Sequence, residues 1–281
     1  MRFLQPTGWR EALEVKAAHP GALPIWGGTD VMVDVNFARE RPEAILDLTR
    51  VRELAEWEER DGTLRVGAGV SYARAIAELR DRLPGLAAAS RTVGSPQIRN
   101  RGTIGGNLGS SSPAGDALPP LYASGADVEL ASARGTRRVP IAEFITGPKR
   151  NVLAEDELIA AFHVQPASGP QQFSKIGTRN AMVIAVCSFA LDLHPDERRV
   201  GACVGSAAPT PVRAAEAERF AAGALDWDGG SRPAESVLAR FGELVAAAAS
   251  PIDDVRGSAA YRRHSLAVLA RRSLAWAWSE R

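Results

Sequence analysis

The chain has 281 residues, of which 45% are hydrophobic and 24% are charged, and these fractions are typical of a globular protein long enough for two separate cores. The 34 Lys and Arg residues nearly balance the 33 Asp and Glu residues, which leaves a formal net charge of +1. So small a net charge creates no overall field that would attract nucleic acid or an anionic membrane surface, and we expect neither partner.

In the first 160 residues, short strand patterns alternate with helical ones. Apolar periodicity predicts helices at residues 11–19, 71–79 and 83–91, and strands at residues 22–26, 44–48, 63–70, 127–132 and 136–141. Ser71 is the expected N-cap of the second helix, and residues 133–135 are the expected turn of a hairpin. Between Gly94 and Pro120 the chain is rich in Gly, Ser and Pro and is interpreted as a long loop.

The composition changes around residues 165–170, which contain two Pro and one Gly and are interpreted as a domain boundary. Beyond them we predict strands at residues 181–193 and 200–205, followed by Ala-rich helices and a last helix at residues 258–278. The pattern indicates an α+β fold with two lobes before residue 170 and a strand-then-helix domain after it. A basic cluster near the carboxyl terminus is interpreted as a solvated helix face; it consists of Arg256, Arg262, Arg263, Arg271 and Arg272.

The reactive residue types do not form a catalytic or metal-binding pattern. Cys187 and Cys203 are too few for an iron–sulfur cluster or a Cys-rich zinc site, and we expect both to be packed in the core. The four His residues have no ligand spacing and do not suggest a metal site. The amino terminus has no signal-peptide pattern, and no window reaches about 18 apolar residues. We therefore expect a cytoplasmic protein without a membrane span.

Two glycine turns carry the chemistry that the sequence offers: the first glycine turn, residues 26–30, and the second glycine turn, residues 103–107. Without a Cβ, backbone N–H groups can approach a ligand closely and converge on phosphate oxygens. Thr29, Thr103 and Asn107 add uncharged donors, and a hydrogen bond to a charged group contributes about 1.5–3 kcal/mol. A single Gly-Gly is usually only a turn, but two in one domain favour a pyrophosphate site.

Other nucleotide motifs are absent. Gly67-Ala68-Gly69 lacks the third glycine of a G-x-G-x-x-G fingerprint, and no G-x-x-x-x-G-K-[ST] occurs. A Rossmann site and a P-loop are both disfavoured.

The same segments resemble the FAD-carrying medium subunits of molybdenum hydroxylases, the family of xanthine dehydrogenase and carbon monoxide dehydrogenase. The resemblance rests on GGTD at residues 27–30, ILDL at 45–48, IRNRGTIGGN at 98–107 and SPAGD at 112–116. It continues in order through FITGP at 144–148, DELI at 156–159, FSK at 173–175 and DDVRGS at 253–258. It therefore spans nearly the whole chain.

The resemblance implies a two-lobed FAD-binding domain of the vanillyl-alcohol-oxidase and MurB type at residues 1–168, with lobes of about 1–55 and 56–168. A small α+β domain with antiparallel strands followed by helices would occupy residues 171–281. FAD would be bound non-covalently, with both glycine turns around its pyrophosphate and Lys175 beside the reduced flavin ring. Trp26 departs from the small residue that many relatives carry. The implied cofactor contacts are Trp26, Gly27, Gly28, Thr29, Asp30, Val93, Gly94, Ser95, Thr103, Ile104, Gly105, Gly106, Asn107, Asp116, Leu158, Ile159 and Lys175.

The resemblance also implies a division of labour. Substrate would be hydroxylated at a molybdenum cofactor in a large partner subunit, and electrons would reach this FAD through [2Fe–2S] centres in a small one, within a dimer of heterotrimers. An external acceptor such as NAD, a quinone or oxygen would take them, and this chain would hold no catalytic residue and no metal. Within the family a purine substrate is preferred, and carbon monoxide, an aromatic compound or an aldehyde are the alternatives. A self-contained flavin oxidoreductase and a scaffold that has lost FAD are the competing hypotheses.

Overall fold

The structure is a computed structural model that describes residues 1–39 and 41–281. Its strands are β1 (Arg2–Leu4), β2 (Leu23–Ile25), β3 (Ala44–Asp47), β4 (Trp57–Arg60), β5 (Thr63–Gly67), β6 (Asp127–Ser132), β7 (Gly135–Pro140), β8 (Ile145–Gly147), β9 (Arg150–Asn151), β10 (Leu158–Val164), β11 (Gln171–Ile176), β12 (Cys187–His194), β13 (Arg199–Gly205) and β14 (Val212–Arg213). Its helices are α1 (Trp9–Ala18), α2 (Val31–Asn36), α3 (Tyr72–Glu78), α4 (Pro84–Arg91), α5 (Pro96–Arg101), α6 (Ile104–Ser110), α7 (Leu118–Ala123), α8 (Ile141–Phe144), α9 (Ala215–Ala224), α10 (Glu235–Ala248) and α11 (Ala259–Ser279). The mixture confirms the predicted α+β class.

The first compact unit comprises Met1–Arg74, Ser95–Ser111 and Ala126–Gln165. It contains a parallel sheet in the order β1-β3-β2, a five-stranded antiparallel sheet in the order β4-β5-β10-β6-β7, and the hairpin β8-β9. One apolar core joins α1, β3 and the start of β10, because Ala12, Leu46 and Leu158 are all buried within it. This core supports the segments that carry both glycine turns.

The second compact unit comprises Ala75–Gly94, Ser112–Gly125 and Pro166–Arg281. Its antiparallel sheet has the order β11-β12-β13-β14. Alternate residues of β12, such as Phe189 and Leu191, share a core with α9, α10 and α11. The intervening Asp192 accepts a hydrogen bond from Ser124, which follows α7, so helices cover both faces of this strand.

Several predicted elements agree closely with the structure. The hairpin β6-β7 has the predicted strands within one residue at the second, and the last helix begins after Ser258, whose hydroxyl caps it by accepting the Tyr261 N–H. Ser71 accepts the N–H of Arg74 at 3.2 Å, as an N-cap of α3 should. Both cysteines are free and buried, which confirms their core role. No described helix is long and apolar enough to cross a membrane.

The predicted loop between residues 94 and 120 is wrong, because the structure places α5, α6 and the start of α7 there. Local signals were present at each start. Ser95 caps α5 ahead of Pro96, and Thr103 caps α6 by accepting the Gly106 N–H at 2.9 Å. A capping hydroxyl and a proline at the first helical position can begin a short helix despite a high glycine content.

Two further expectations need correction. The strand predicted from residue 181 begins only at Cys187, since residues 181–186 turn and bend before they join the sheet. Arg262 does not lie on a solvated face. It is buried, and its guanidinium donates to the carbonyls of Val186 and Ser206 and pairs with Asp254.

Candidate functional site

The first glycine turn connects β2 to α2 and presents unused backbone donors. Among the described residues, the N–H groups of Gly27, Gly28, Thr29 and Asp30 donate to no protein acceptor. Gly28 has a φ of +72°, in the left-handed region that favours glycine, and the turn is partly exposed. Consecutive N–H groups in such a conformation form a concave donor set that suits an anion.

Gly27 is required by packing, not by the ligand. A Cβ at this position would lie 1.9 Å from the carbonyl oxygen of Arg101, which is an impossible contact with backbone. The first glycine turn therefore lies directly against the chain that leads into the second. Within this unit the two turns are brought together, as the sequence predicts.

The second glycine turn forms the start of α6, and its backbone donors are already used. Ile104 N–H donates to Val70 O at 3.2 Å, Gly105 N–H to Ala68 O at 3.1 Å and Asn107 N–H to Thr103 O at 3.3 Å. The Gly106 N–H donates to Thr103 Oγ1. The expectation of bare amides in this turn is therefore wrong, because these N–H groups donate to Val70 and Ala68, just after β5, and to the N-cap residue Thr103. The Thr103 hydroxyl accepts in this bond, so its proton stays available to donate.

Gly105 and Gly106 have opposite surroundings. A Cβ on Gly105 would lie 2.4 Å from Ala68 O and 2.6 Å from Ala68 Cβ, whereas a Cβ on Gly106 would approach only Thr103 Oγ1, at 3.2 Å. Gly106 is also exposed. Its missing side chain therefore leaves an open surface, while the missing side chain of Gly105 allows contact with the end of β5.

A third segment, residues 67–69, completes the arrangement and was not identified as part of the site from the sequence. A Cβ on Gly69 would lie 2.6 Å from the Trp26 ring, so the indole lies over this glycine. The bulk of Trp26 is thus accommodated within the protein by Gly69. Ala68 donates its N–H to Ala160 O at 2.9 Å, which ties the segment to β10. The run of three small residues after a strand was the available signal, and it was considered only as an incomplete fingerprint.

The remaining predicted residues of this unit flank the turns. Ser95 caps α5, which leads through Gly102 into the second turn. Ile159 lies beside α6, with its Cδ1 3.8 Å from the position of a Cβ on Gly109, and it adjoins a β-bulge in the β10–β6 pairing. Leu158 is only 2% exposed and packs in the core, so its side chain supports the site from beneath.

In the second unit the structure brings Asp116 and Lys175 together. The Lys175 ammonium lies 2.5 Å from Asp116 Oδ2 and 3.2 Å from the carbonyl oxygen of Thr92, and both charged side chains are less than 10% exposed. The Thr92 hydroxyl contacts the same carboxylate oxygen at 3.3 Å. Val93 and Gly94 follow Thr92 directly, and Gly94 has a φ of +45°. Four predicted contacts of the second unit thus belong to one small region.

One oxygen of this pair has an unused lone pair. Asp116 Oδ1 is buried and has no hydrogen-bond partner among the described residues. Burial raises the pKa of Asp116, although the Lys175 charge and hydrogen bond act in the opposite direction. A buried acceptor without a partner is unfavourable, and an external donor would satisfy it.

Comparisons with known proteins identify the group to which the chain is related. Residues 1–167 match the family model described as the FAD binding domain in molybdopterin dehydrogenase, and residues 172–277 match the CO dehydrogenase flavoprotein C-terminal domain. The chain is 34% identical to the xanthine dehydrogenase FAD-binding subunit of Escherichia coli O157:H7 over 225 residues, 75% of each chain. It is 32% identical to the nicotinate dehydrogenase FAD-subunit of Eubacterium barkeri over 238 residues, 79% of each.

The fold comparison agrees. A solved structure of carbon monoxide dehydrogenase from Hydrogenophaga pseudoflava, in a form that lacks the Mo-pyranopterin moiety, superposes with a TM-score of 0.89 at 25% identity and covers 100% of this chain and 98% of that chain. The predicted family, the fold and FAD as the cofactor are confirmed by these matches. The chain belongs to the family of FAD-binding oxidoreductase subunits of the molybdopterin dehydrogenases.

Proposed function

We propose that this chain is the electron-transfer subunit of a molybdenum hydroxylase. Its FAD takes electrons from [2Fe–2S] centres of a small partner subunit and passes them to an external acceptor: NAD, a quinone or oxygen. Substrate is hydroxylated at the molybdenum cofactor of a large partner subunit. The observation that carries the proposal is the run of unused N–H groups from Gly27 to Asp30.

The residues of the first unit are suited to a diphosphate. Four consecutive N–H groups without an acceptor among the described residues are open to an external acceptor, and an anion supplies one without a protein cation. The fixed contact between Gly27 and Arg101 O holds these donors next to the second glycine turn. There, the Thr103 hydroxyl proton and the open surface of Gly106 provide one further donor and a close approach. All seventeen residues that the sequence assigns to FAD remain part of this proposal, with Leu158 and Gly105 supporting the site by packing beneath it.

FAD supplies the redox chemistry when bound, and the protein supplies binding, orientation and charge. In the second unit, Asp116 Oδ1 would accept a hydrogen bond from an N–H group of the bound cofactor. Lys175 opposes the effect of burial on the pKa of that carboxyl, and its ammonium is a local cation that would favour a reduced, anionic ring. The Asp116–Lys175 distance of 2.5 Å supports a single preorganised unit in which neither residue acts alone.

The proposal also covers the substrate of the partner subunit and the assembly. We keep a purine as the preferred substrate, supported by the similarity to the xanthine dehydrogenase subunit, with nicotinate-like aromatic compounds, aldehydes and carbon monoxide as alternatives. A dimer of heterotrimers, a domain boundary between residues 168 and 171 and a cytoplasmic location complete the proposal.

Purification of the chain alone tests the division of labour. We expect a yellow protein that dithionite reduces and that xanthine, nicotinate and carbon monoxide do not. Direct reduction by a small substrate would indicate a self-contained flavin oxidoreductase, and a colourless protein that takes up no added FAD would indicate a scaffold.

Co-expression with the two partner subunits tests the electron path. Anaerobic xanthine should then bleach the flavin band, and an FAD-free variant of this chain should leave the iron–sulfur centres reduced without turnover of the acceptor. Bleaching by nicotinate but not by xanthine would reassign the substrate without changing the role of this chain.

A further inference from the structure

Asp34 is an acidic residue of α2 that two cations hold from different directions. Its Oδ2 lies 3.2 Å from Lys149 Nζ, and its Oδ1 lies 3.4 Å from an Arg39 guanidinium nitrogen. The Asp34 side chain is 15% exposed, while both cations are more than 60% exposed. The hydrogen bond from Lys149 is the largest cause that lowers the pKa of Asp34, so the carboxyl is ionised at neutral pH.

Lys149 reaches Asp34 from the hairpin β8-β9 because its backbone is fixed. Its N–H donates to Ser111 O at 3.0 Å, and its φ of +54° lies in the left-handed region. Asn151, on the second strand of the hairpin, donates from Nδ2 to Ser111 Oγ at 3.0 Å. A non-glycine residue in the left-handed region is uncommon, and it is stable here because these bonds define the turn.

The position of Asp34 is a difficulty for the proposed FAD site. It follows Asp30 by four residues, so the two lie on one side of α2, separated by about 6 Å along its axis. Asp30 ends the run of open N–H groups. The Asp34 carboxylate would repel a diphosphate bound at this run of N–H groups. At low ionic strength, a unit charge about one helical turn from an anion changes its affinity severalfold.

We propose that Lys149 is a positioning residue for FAD that acts by neutralising Asp34, with Arg39 as the second cation. The inference rests on the proposed function, since it assumes that the FAD diphosphate binds at the first glycine turn. Lys149 acts through Asp34 and not by contacting the cofactor. A direct contact would predict a different response when Asp34 loses its own charge.

The experiment measures the FAD dissociation constant of the full-length apoprotein by quenching of flavin fluorescence. The variants are Lys149→Met, Lys149→Arg, Asp34→Asn and the double variant Lys149→Met/Asp34→Asn. Arg10→Met is the matched control, because it removes an exposed ion pair with Glu14 on α1, 3.0 Å long. Each variant is measured at ionic strengths of about 0.02 M and about 0.5 M, where the screening length is roughly 20 Å and roughly 4 Å.

We expect Lys149→Met to weaken FAD binding about threefold to fivefold at low ionic strength and much less at high ionic strength. Asp34→Asn should bind FAD at least as tightly as the wild-type chain, and the double variant should bind like the wild-type chain, because its two charge changes cancel. Lys149→Arg and Arg10→Met should show no change. If the double variant binds as weakly as Lys149→Met, or if Lys149→Met binds FAD normally, the inference is wrong.

A Gly106→Val variant in the same series separates this inference from the proposed site. If Gly106→Val loses FAD and Lys149→Met binds it normally, only the role of Lys149 is wrong. If Gly106→Val binds FAD normally, the placement of the diphosphate is itself wrong.

Discussion

The adjacent glycines of the second glycine turn should respond in opposite ways to the same substitution. Gly105→Ala places a Cβ 2.4 Å from the backbone oxygen of Ala68, which cannot move without disturbing the end of β5. Gly106→Ala places its Cβ 3.2 Å from Thr103 Oγ1, a side-chain atom, and otherwise in open space. The first change should harm the fold, and the second should harm the ligand site.

The expected changes in stability follow from the atoms that each new Cβ would contact. Overpacking usually destabilises a protein by about 1–3 kcal/mol, and a contact with fixed backbone at 2.4 Å should reach or exceed the upper end. In a helix interior, Ala is more favourable than Gly by about 0.5–1 kcal/mol. A small displacement of Thr103 offsets part of that gain. We therefore expect Gly106→Ala apoprotein to unfold at the wild-type denaturant concentration or slightly above it.

The variants should rank differently in FAD binding than in stability. Gly106→Ala should weaken FAD binding, and Gly106→Val should abolish it, because the larger side chain occupies the open surface that the cofactor needs. The assays are urea unfolding of the apoprotein and the absorbance of bound flavin after gel filtration. Gly223→Val is the matched control, since Gly223 is an exposed glycine of α9 with nothing within 4 Å of its Cβ position. A full flavin spectrum for Gly106→Val, or normal stability for Gly105→Ala, would refute the reasoning.

Three more predictions concern polar residues. Thr103→Ala should destabilise α6 by about 1 kcal/mol and weaken FAD binding about tenfold in titrations, because it removes the N-cap and a donor, whereas Thr103→Ser should retain both. Lys175→Met should destabilise the protein by about 3–5 kcal/mol at neutral pH, since it leaves Asp116 buried and unpaired. Burial already raises the pKa of Asp116, so the unpaired carboxyl of this variant should become protonated as the pH falls, and its stability in unfolding curves should recover. If the stability does not recover, the pairing of Asp116 with Lys175 is not the cause of the loss. Glu129→Gln should lower the free energy of unfolding by about 1.5–3 kcal/mol at pH 7, because the wild-type carboxylate forms hydrogen bonds with His163 and an arginine. These bonds lower the pKa of Glu129 despite its burial, so the difference from wild type should shrink as the pH falls below the ordinary value of 4.5, and a constant difference would count against it.

Sequence periodicity predicted the elements whose partners are close in the chain. The hairpin β6-β7 needs only a short turn and alternating residues, and α11 needs a capping Ser258 and apolar spacing. The paired glycines also marked two turns that the structure brings together, because a pair of residues without a Cβ can be recognised in the sequence without knowing its neighbours. For these features the local signal and the tertiary structure agree.

Long-range contacts could not be read in the same way. The amides of the second glycine turn point at Val70 and Ala68, more than thirty residues earlier, so nothing local showed that they were occupied. The pairing of Asp116 with Lys175 joins residues 59 positions apart, and each was predicted only as a separate FAD contact. Arg262 looked solvated because it lies within a basic run, but its acceptors are backbone carbonyls of distant residues that adjoin β12 and β13.

In each glycine pair, the two positions lack a side chain for different reasons. The first member, Gly27 or Gly105, lacks space for a Cβ because another part of the backbone lies 1.9 Å or 2.4 Å from that position. The second member, Gly28 or Gly106, meets side-chain atoms only, at 3.1 Å or 3.2 Å, and either adopts a positive φ or faces the open surface. Packing alone therefore explains the first glycine of each pair, whereas the helical geometry at Gly106 would accept alanine in a protein that bound nothing there. A glycine at a position where alanine would fit the fold at least as well leaves the main chain open to a ligand, and this open surface belongs to the turn that packs beside the donors of residues 27–30, as the proposed FAD site requires.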